Sequence, residues 1–283
     1  MLVLTLQSGV QWHAAYAAAA AQNRVIVGGD SAGGSVGSAG GWISGGGHSI
    51  LSPNYGLGKC KSHYLRLKLT HILGVDNVIQ MTIVLADGSH LTVNEYQYPD
   101  LFWALRGGGG GTWGVLTSVT YRTHPNTPFQ SAFLFISKTA TSTNNTNATQ
   151  NIFAEIIRMT PSLVDQGYGG CVTFNTSGFL MFIASPNVTQ EQTNETFKPL
   201  FDYATSQAES PGLLIENLTA SFDTFDPLNA YLSQGKSDVG DNEVSSWLLP
   251  DDVVKSDPDS LAARLMEVPT LSYWYVPSLI PPP

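Results

Sequence analysis

The sequence is poor in charge and in cysteine. Only 12% of its 283 residues are charged, and 13 lysines and arginines face 22 acidic residues, for a formal net charge of -9. Nucleic acids and anionic membrane surfaces are bound through clustered cations, so this composition argues against both as partners. Cys60 and Cys171 are too few for a disulfide framework and too far apart for a metal motif. The six histidines lack zinc-site spacing, and we expect no bound metal.

Long apolar runs are also missing. No stretch reaches the roughly 18 uncharged apolar residues of a membrane-spanning helix, so none is expected. The first twenty residues are apolar, but they lack a basic start and are interrupted by Gln7, Gln11 and His13. We predict a strand at 2–6 and a helix at about 10–21, with a secretory signal peptide as the alternative interpretation.

Glycosylation acceptors are abundant in one region. Six Asn-x-Ser/Thr triplets occur, at Asn144, Asn147, Asn175, Asn187, Asn194 and Asn217. Single matches arise by chance, but this density favours the secretory pathway. We therefore expect a secreted, extracellular glycoprotein whose signal peptide was lost with a missing N-terminus.

Two regions differ in their pattern of predicted elements. The first alternates short β-rich runs with glycine clusters, with strands at 25–27, 78–85, 90–93 and 115–122, an Asp-Gly hairpin turn at 86–89 and a helix at 99–106. The second, from 125 to about 212, is typical of an α+β domain with an antiparallel sheet, with strands at 132–136, 170–174 and 179–183 and helices at 151–159 and 190–207. The remainder, to residue 283, contains a further predicted helix at 259–266.

The stretch from Gly28 to Ser49, GGDSAGGSVGSAGGWISGGGHS, is the most informative part of the chain. Glycine lets backbone approach a flat ring closely and lets amide groups donate to polar oxygens. A flexible linker is the alternative, but Val36, Trp42 and Ile43 supply apolar anchors that linkers lack. The stretch has neither the Gly-Lys-Ser/Thr of a P-loop nor the strand, turn and long helix of a Rossmann fingerprint.

Several ordered motifs then point to one family. VIVGGDSAGGSVGSAGGWISGGGHS, YGLG, VDNV, ADG and YPDLFWALRGGGGGTWGVLTSVTYRTHP together resemble FAD-linked oxidases of the berberine-bridge type, within the vanillyl-alcohol oxidase (VAO) superfamily and closest to its fungal members. The resemblance is strong over residues 4–125 and fainter beyond them. It implies an α+β fold: the second subdomain of a PCMH-type FAD-binding domain at 1–125, then an incomplete α+β substrate domain with an antiparallel sheet at 126–283.

The resemblance also implies an activity and a cofactor site. The complete protein would oxidise a small organic substrate, an alcohol, a sugar or a secondary-metabolite intermediate, by hydride transfer to FAD, with oxygen as a possible electron acceptor. The implied cofactor-binding residues are Gly29, Asp30, Ser31, Gly34, Ser35, Val36, Gly37, Gly40, Gly41, Gly45, Gly46, Gly47, His48, Tyr55, Gly58, Asp76, Asn77, Val78, Val115 and Thr117.

Other side chains leave alternatives open. His48 is either a donor near the cofactor or a structural histidine at a turn, which we favour. Arg106 either meets a phosphate or bonds the last carbonyls of its helix. Phe102 and Trp103 are interpreted as core residues rather than flavin-stacking ones. No catalytic base is assigned, because the candidate tyrosines Tyr168, Tyr273 and Tyr275 are interpreted as core.

The chain departs from the family in three ways. Many relatives attach flavin through a histidine in an early loop and through a cysteine just after the Gly28-Gly29 position. Asp30 and Ser31 follow here, and the histidine loop belongs to a first subdomain that we expect to be missing. Residues 59–74 form an insertion, which we interpret as a translated intron rather than as a basic surface loop that binds a partner.

The alternative to an enzyme is a truncated or wrongly assembled, non-catalytic family fragment; a secreted glycan-binding or structural protein is less favoured.

Overall fold

The chain forms two units in the computed structural model, which describes residues 2–29, 34–55, 73–138, 146–207, 212–232, 249–268 and 272–276. The first unit is Met1–Thr127 with Asp223–Val244, and the second is Pro128–Phe222 with Ser245–Pro283. The sequence indicated a change of domain near residue 125. The return of the chain to the first unit after residue 222 had no recognised signal in the sequence.

The first unit contains an antiparallel four-stranded sheet in the order β1-β5-β3-β4. Its strands are β1 (Val3–Gln7), β3 (Val78–Val84), β4 (His90–Asn94) and β5 (Val115–Arg122). A short antiparallel pair joins β2 (Arg24–Val25) to β6 (His124–Pro125). The remaining elements are α1 (Trp12–Ala20), α2 (Gly41–Ser44), α3 (Ser52–Tyr55), a 3₁₀ turn (Gly74–Asn77), α4 (Pro99–Leu105) and α7 (Phe225–Leu232).

The hairpin between β3 and β4 confirms its predicted turn. Asp87 accepts hydrogen bonds from the Ser89 backbone N–H at 2.9 Å and from its hydroxyl at 2.6 Å, and Gly88 adopts a φ of 83°. These bonds lower the pKa of the Asp87 carboxyl, the Ser89 hydroxyl contributing most. Glycine supplies the left-handed conformation that the turn requires.

Helix α4 also follows its prediction, with Pro99 in its first turn and glycines after its end. Phe102 and Leu105 are buried, three residues apart on one helix face. Trp103, however, is 75% exposed, so its assignment to the core was wrong. Successive helical residues point about 100° apart, so the neighbour of an inward Phe102 faces outward.

The second unit contains an antiparallel five-stranded sheet in the order β10-β7-β9-β8-β11. Its strands are β7 (Phe129–Lys138), β8 (Gly169–Asn175), β9 (Gly178–Pro186), β10 (Leu213–Phe222) and β11 (Ser272–Val276). Its helices are α5 (Thr146–Asp165), α6 (Gln190–Gln207), α8 (Asp251–Ser256) and α9 (Pro258–Met266). The expected α+β architecture with antiparallel sheets is confirmed.

The core of the second unit lies between its sheet and its helices. Phe153 and Ile157 of α5 meet strand side chains such as Phe174 and Met181 in one buried cluster. Tyr168 is fully buried and its hydroxyl lies 2.8 Å from Thr193 Oγ1, which confirms a core role for this tyrosine. Apolar burial of this extent is the main stabilising contribution to such a unit.

Candidate functional site

The first part of the glycine-rich segment packs against the buried indole of Trp12. A Cβ atom on Gly28 would lie 2.3 Å from Trp12 Cε3, closer than atoms can approach. At Gly29 a Cβ would lie 2.9 Å from Trp42 Nε1 and 3.0 Å from Trp12 Nε1, so both indole N–H groups converge there. The Tyr16 hydroxyl donates to the Gly29 carbonyl at 2.8 Å. These two glycines are therefore required by aromatic packing.

Residues 34–38 run alongside the start of α1. The Trp12 backbone N–H donates to the Val36 carbonyl at 3.0 Å, and the Ser38 N–H donates to the Val10 carbonyl at 2.8 Å. The Tyr121 hydroxyl, from the sheet strand β5, donates to the Ser38 carbonyl. This part of the segment is thus fixed to both the first helix and the sheet.

The second bend of the segment holds the 3₁₀ turn. Gly46 and Gly47 have φ values of 101° and 66°, which favour glycine. Their carbonyls accept from the Val75 N–H at 3.0 Å and the Gly74 N–H at 2.5 Å. Because Gly47 and Gly74 both face the Trp42 ring, with a Cβ on Gly74 only 2.2 Å from Trp42 Cη2, the bend and the turn close around one indole.

Three glycines between these anchors have no packing explanation. A Cβ at Gly37, Gly40 or Gly41 would meet nothing within 4 Å among the described residues. The pentaglycine loop that follows α4 approaches the same place, since the Gly109 N–H donates to the Ser44 carbonyl at 2.9 Å. We call these residues, 34–47 with 107–111, the glycine cradle. Its open backbone positions are where a flat or phosphate-bearing ligand could approach.

A polar cluster lies at the junction of the 3₁₀ turn, α3 and β6. Asn77 is 1% exposed, and its Oδ1 lies 2.7 Å from His124 Nε2. The Tyr55 ring lies 4.7 Å from the imidazole, centroid to centroid, and its hydroxyl is 3.1 Å from Thr127 Oγ1. Burial raises the pKa of the Tyr55 phenol, and the bond to Thr127 opposes that rise.

The same surroundings keep His124 uncharged. Burial, together with the positive charges of Arg122 and Arg24, lowers the pKa of His124 to about 4. At neutral pH this histidine is therefore a neutral imidazole with one N–H donor.

Four buried nitrogen atoms find no hydrogen-bond acceptor among the residues that the structure describes. They are Trp12 Nε1, Asn77 Nδ2, Arg106 Nε and Arg122 Nε. All four are N–H donors and all lie in the first unit. Leaving such a donor unpaired costs about 1–3 kcal/mol, so an acceptor oxygen brought to any one of these nitrogens would be bound favourably.

Arg106 stacks on a ring of the helix that precedes it. Its guanidinium carbon lies 4.6 Å from the centroid of the Phe102 ring, in a cation–π contact. In the described part of the chain its Nε has no acceptor, so it does not bond the last carbonyls of α4 through that atom.

The structure brings together some predicted site residues and separates others. Gly29, Gly34, Ser35, Val36, Gly37, Gly40, Gly41, Gly45, Gly46 and Gly47 share the segment anchored by Trp12 and Trp42, and Tyr55, Asp76, Asn77 and Val78 lie around the polar cluster. Val115 is 68% exposed and Thr117 lies in the sheet, 2.6 Å from Thr82 Oγ1. His48 is exposed. Asp30, Ser31 and Gly58, with most of the 59–74 insertion, lie outside the described residues.

Sequence reasoning missed the aromatic and histidine residues that support the segment. Trp12 and Tyr16 are four residues apart on α1, the spacing that places side chains on one helix face. This spacing, followed along the chain by the Gly28-Gly29 pair, was the signal in the sequence for aromatic packing on the segment. His124 stood within the quoted YRTHP motif but received no role.

The described part of the chain contains neither a metal-binding group nor a membrane-spanning helix. None of its histidine, cysteine and acidic side chains gather into a group of three that could hold a metal ion. Among the helices described, none is long and apolar enough to cross a membrane.

Sequence comparison finds fungal relatives, although no family model matches the chain. An FAD-linked oxidoreductase of Gibberella zeae is 33% identical over 260 residues, which are 90% of this chain and 42% of that protein. An FAD-linked oxidoreductase of Malbranchea aurantiaca is 44% identical over 125 residues, 44% of this chain and 18% of that protein. The chain spans less than half the length of these curated relatives.

Solved structures share the fold over most of the chain. A VAO-type flavoprotein from Myceliophthora thermophila C1 matches with a TM-score of 0.74 and 25% identity, over 92% of this chain and 45% of that one. A xylooligosaccharide oxidase from the same organism, solved with xylobiose, matches with a TM-score of 0.60 and 20% identity, over 96% and 53% of the two chains. A likeness at that lower identity concerns the fold alone.

The structural neighbours define the class of this protein: the chain has the fold of the VAO-superfamily flavoproteins. In sequence the chain is similar to fungal FAD-linked oxidoreductases. The family resemblance carried by the sequence motifs is confirmed.

Proposed function

We propose that this chain binds FAD in its first unit and forms part of an oxidoreductase that oxidises a small organic substrate. Relatives that are named FAD-linked oxidoreductases support the cofactor and the reaction class. When bound, the flavin would supply the chemistry, accepting a hydride from the substrate.

The four unpartnered buried donors carry this proposal. A dinucleotide presents phosphate, hydroxyl and ring carbonyl oxygens, which are the acceptors that Trp12 Nε1, Asn77 Nδ2, Arg106 Nε and Arg122 Nε lack among the described residues. The open positions Gly37, Gly40 and Gly41 add backbone that a ring could approach without a clash. The residues present therefore fit the cofactor.

The chain's own residues would bind and orient the cofactor rather than react. Backbone of the glycine cradle would contact the cofactor, Trp12 and Trp42 would fix the cradle's shape, and Asn77 would donate from the 3₁₀ turn. Fixed donors that need no rearrangement on binding are the usual way in which a protein holds a cofactor in place.

The substrate class is an alcohol, a sugar or a secondary-metabolite intermediate. The xylooligosaccharide oxidase among the structural neighbours, solved with xylobiose, keeps a sugar among the candidates. We propose oxygen as the electron acceptor of the complete protein.

The test is the visible spectrum of the chain purified as a 283-residue protein and mixed with FAD. We expect flavin bands that remain with the protein through gel filtration at close to equimolar ratio. A colourless protein would contradict FAD binding and would favour the alternative, a non-catalytic family fragment.

We also propose that the protein is a secreted glycoprotein. The acceptor Asn187 is exposed in the loop between β9 and α6, and Asn175 lies at the β8–β9 turn, where its Oδ1 accepts from the Ser177 N–H at 2.7 Å. Such exposed turns are the usual positions of N-linked glycans.

A further inference from the structure

The two ends of the Asn77 carboxamide have different surroundings. Its Oδ1 meets His124 Nε2 at 2.7 Å, while its Nδ2 is buried without an acceptor among the described residues. A carboxamide oxygen can only accept, so the imidazole must donate to it from Nε2. This bond fixes which way the amide faces and leaves the NH₂ group turned away from the histidine.

His124 is held by a ring contact as well as by its bond to Asn77. The Tyr55 ring packs on it at 4.7 Å, and the charged groups that act on it are Arg122 and Arg24. Arg24 is fixed by Thr123, donating from Nε to its hydroxyl at 3.1 Å and from Nη2 to its carbonyl at 2.7 Å. Two cations beside a half-buried imidazole disfavour a third charge, so His124 offers Asn77 a neutral donor.

The unpaired NH₂ group of Asn77 indicates a role for this residue beyond packing. An apolar residue at position 77 would avoid the cost of a buried unpaired NH₂ group, which is about 1–3 kcal/mol. Asn77 is the last residue of the 3₁₀ turn, which the glycine cradle holds through Gly46 and Gly47, and β3 begins at the next residue. Its unpartnered donor therefore lies on the same support as the cradle.

We propose that His124 is a positioning residue: it holds the Asn77 carboxamide so that the NH₂ group donates a hydrogen bond to an acceptor atom of the bound flavin dinucleotide. This role rests on the proposed function. His124 does not touch the cofactor in this arrangement and acts only through Asn77.

A double-mutant cycle tests that dependence. FAD affinity is measured by quenching of flavin fluorescence on the flavin-stripped chain and on its Asn77→Ala, His124→Leu and doubly substituted variants. We expect each single substitution to weaken binding about five- to tenfold, the effect of one buried hydrogen bond. The double variant should be no weaker than Asn77→Ala, because His124 acts through the amide.

Two further variants separate positioning from general destabilisation. His124→Gln retains an N–H donor and should recover at least half of the lost binding free energy. Tyr168→Phe removes a buried hydroxyl bond in the second unit, to Thr193, and should lower thermal stability without changing FAD affinity.

The tautomer provides a readout that needs no flavin. Nitrogen chemical shifts of His124 should show Nε2 protonated and Nδ1 bare from neutral pH down to about pH 4. A proton on Nδ1 instead would reverse the amide and overturn the role.

Each remaining outcome decides one of the two claims. If His124→Leu binds FAD as tightly as the wild-type chain, the positioning role alone is overturned. Fully additive losses of binding free energy in the double variant would overturn it too. A wild-type chain without FAD affinity would overturn the proposed function and this role with it.

Discussion

At the scale of single residues, the glycines of the Gly28–Gly47 stretch differ in what each one is for. Gly28 lies against the Trp12 ring, and Gly47 against the Trp42 ring. Gly37 and Gly40 face open space among the described residues. The first kind is required by tertiary packing, whereas the second has no packing requirement and is open to the ligand of the proposed function.

Alanine substitutions separate the two kinds. Gly28→Ala places a methyl 2.3 Å from Trp12 Cε3 and should lower the free energy of unfolding by about 1–3 kcal/mol. Gly37→Ala, the matched control, meets no atom within 4 Å and should stay within about 1 kcal/mol of wild type. Denaturant unfolding followed by tryptophan fluorescence measures both. Equal losses in the two variants would contradict the distinction.

At the scale of elements, the 3₁₀ turn depends on its position against the bend at Gly46-Gly47. Gly74 donates to the Gly47 carbonyl, and the Trp42 ring leaves no room for a side chain at Gly74. The insertion hypothesis removes residues 59–74 and places Gly58 directly before Val75. The shortened chain would thus still have a glycine where the indole requires one.

Deleting residues 59–74 should therefore give a chain that folds at least as stably as the original. The expected result is an equal or higher Tm, together with equal or higher FAD content, because the turn keeps its glycine. The control is the same deletion with Gly58→Ala, whose Tm should fall by several degrees because the methyl meets Trp42. A deletion variant that fails to fold while the full chain folds would refute the intron interpretation.

At the scale of the whole molecule, all six glycosylation acceptors belong to the second unit. They lie between residues 144 and 217, within Pro128–Phe222, and the first unit contains none. The first unit, which contains the packed glycine segment, therefore has no position for an N-linked glycan. The second unit presents acceptors in exposed turns, such as Asn187.

Expression through the secretory pathway of a fungal host should give glycopeptides from the second unit. Asn187→Gln should lower the mass by one glycan, as measured on the intact protein before and after enzymatic deglycosylation. FAD content should not change, since the acceptor lies outside the FAD-binding unit. An unmodified Asn187 peptide would contradict this site.

The sequence predicted most regular elements because their signals are local. The Asp87-Gly88 turn, the proline-started α4 and the helix at 190–207 each depend on residues close in sequence. Strand β10 was missed because it is an edge strand without a fully buried side chain, so its apolar residues do not alternate. Helix α7 was missed because its partner Tyr16 lies about 200 residues earlier.

The sequence by itself determined the family and the location of the glycine-rich segment, because backbone that must approach a ligand needs glycine whatever surrounds it. Only the tertiary structure decided which glycines face Trp12 and Trp42 and which remain open. It also decided that His124 meets Asn77, 47 residues away in sequence. Both depend on which atoms long-range folding brings within a few ångströms, and no local pattern encodes that.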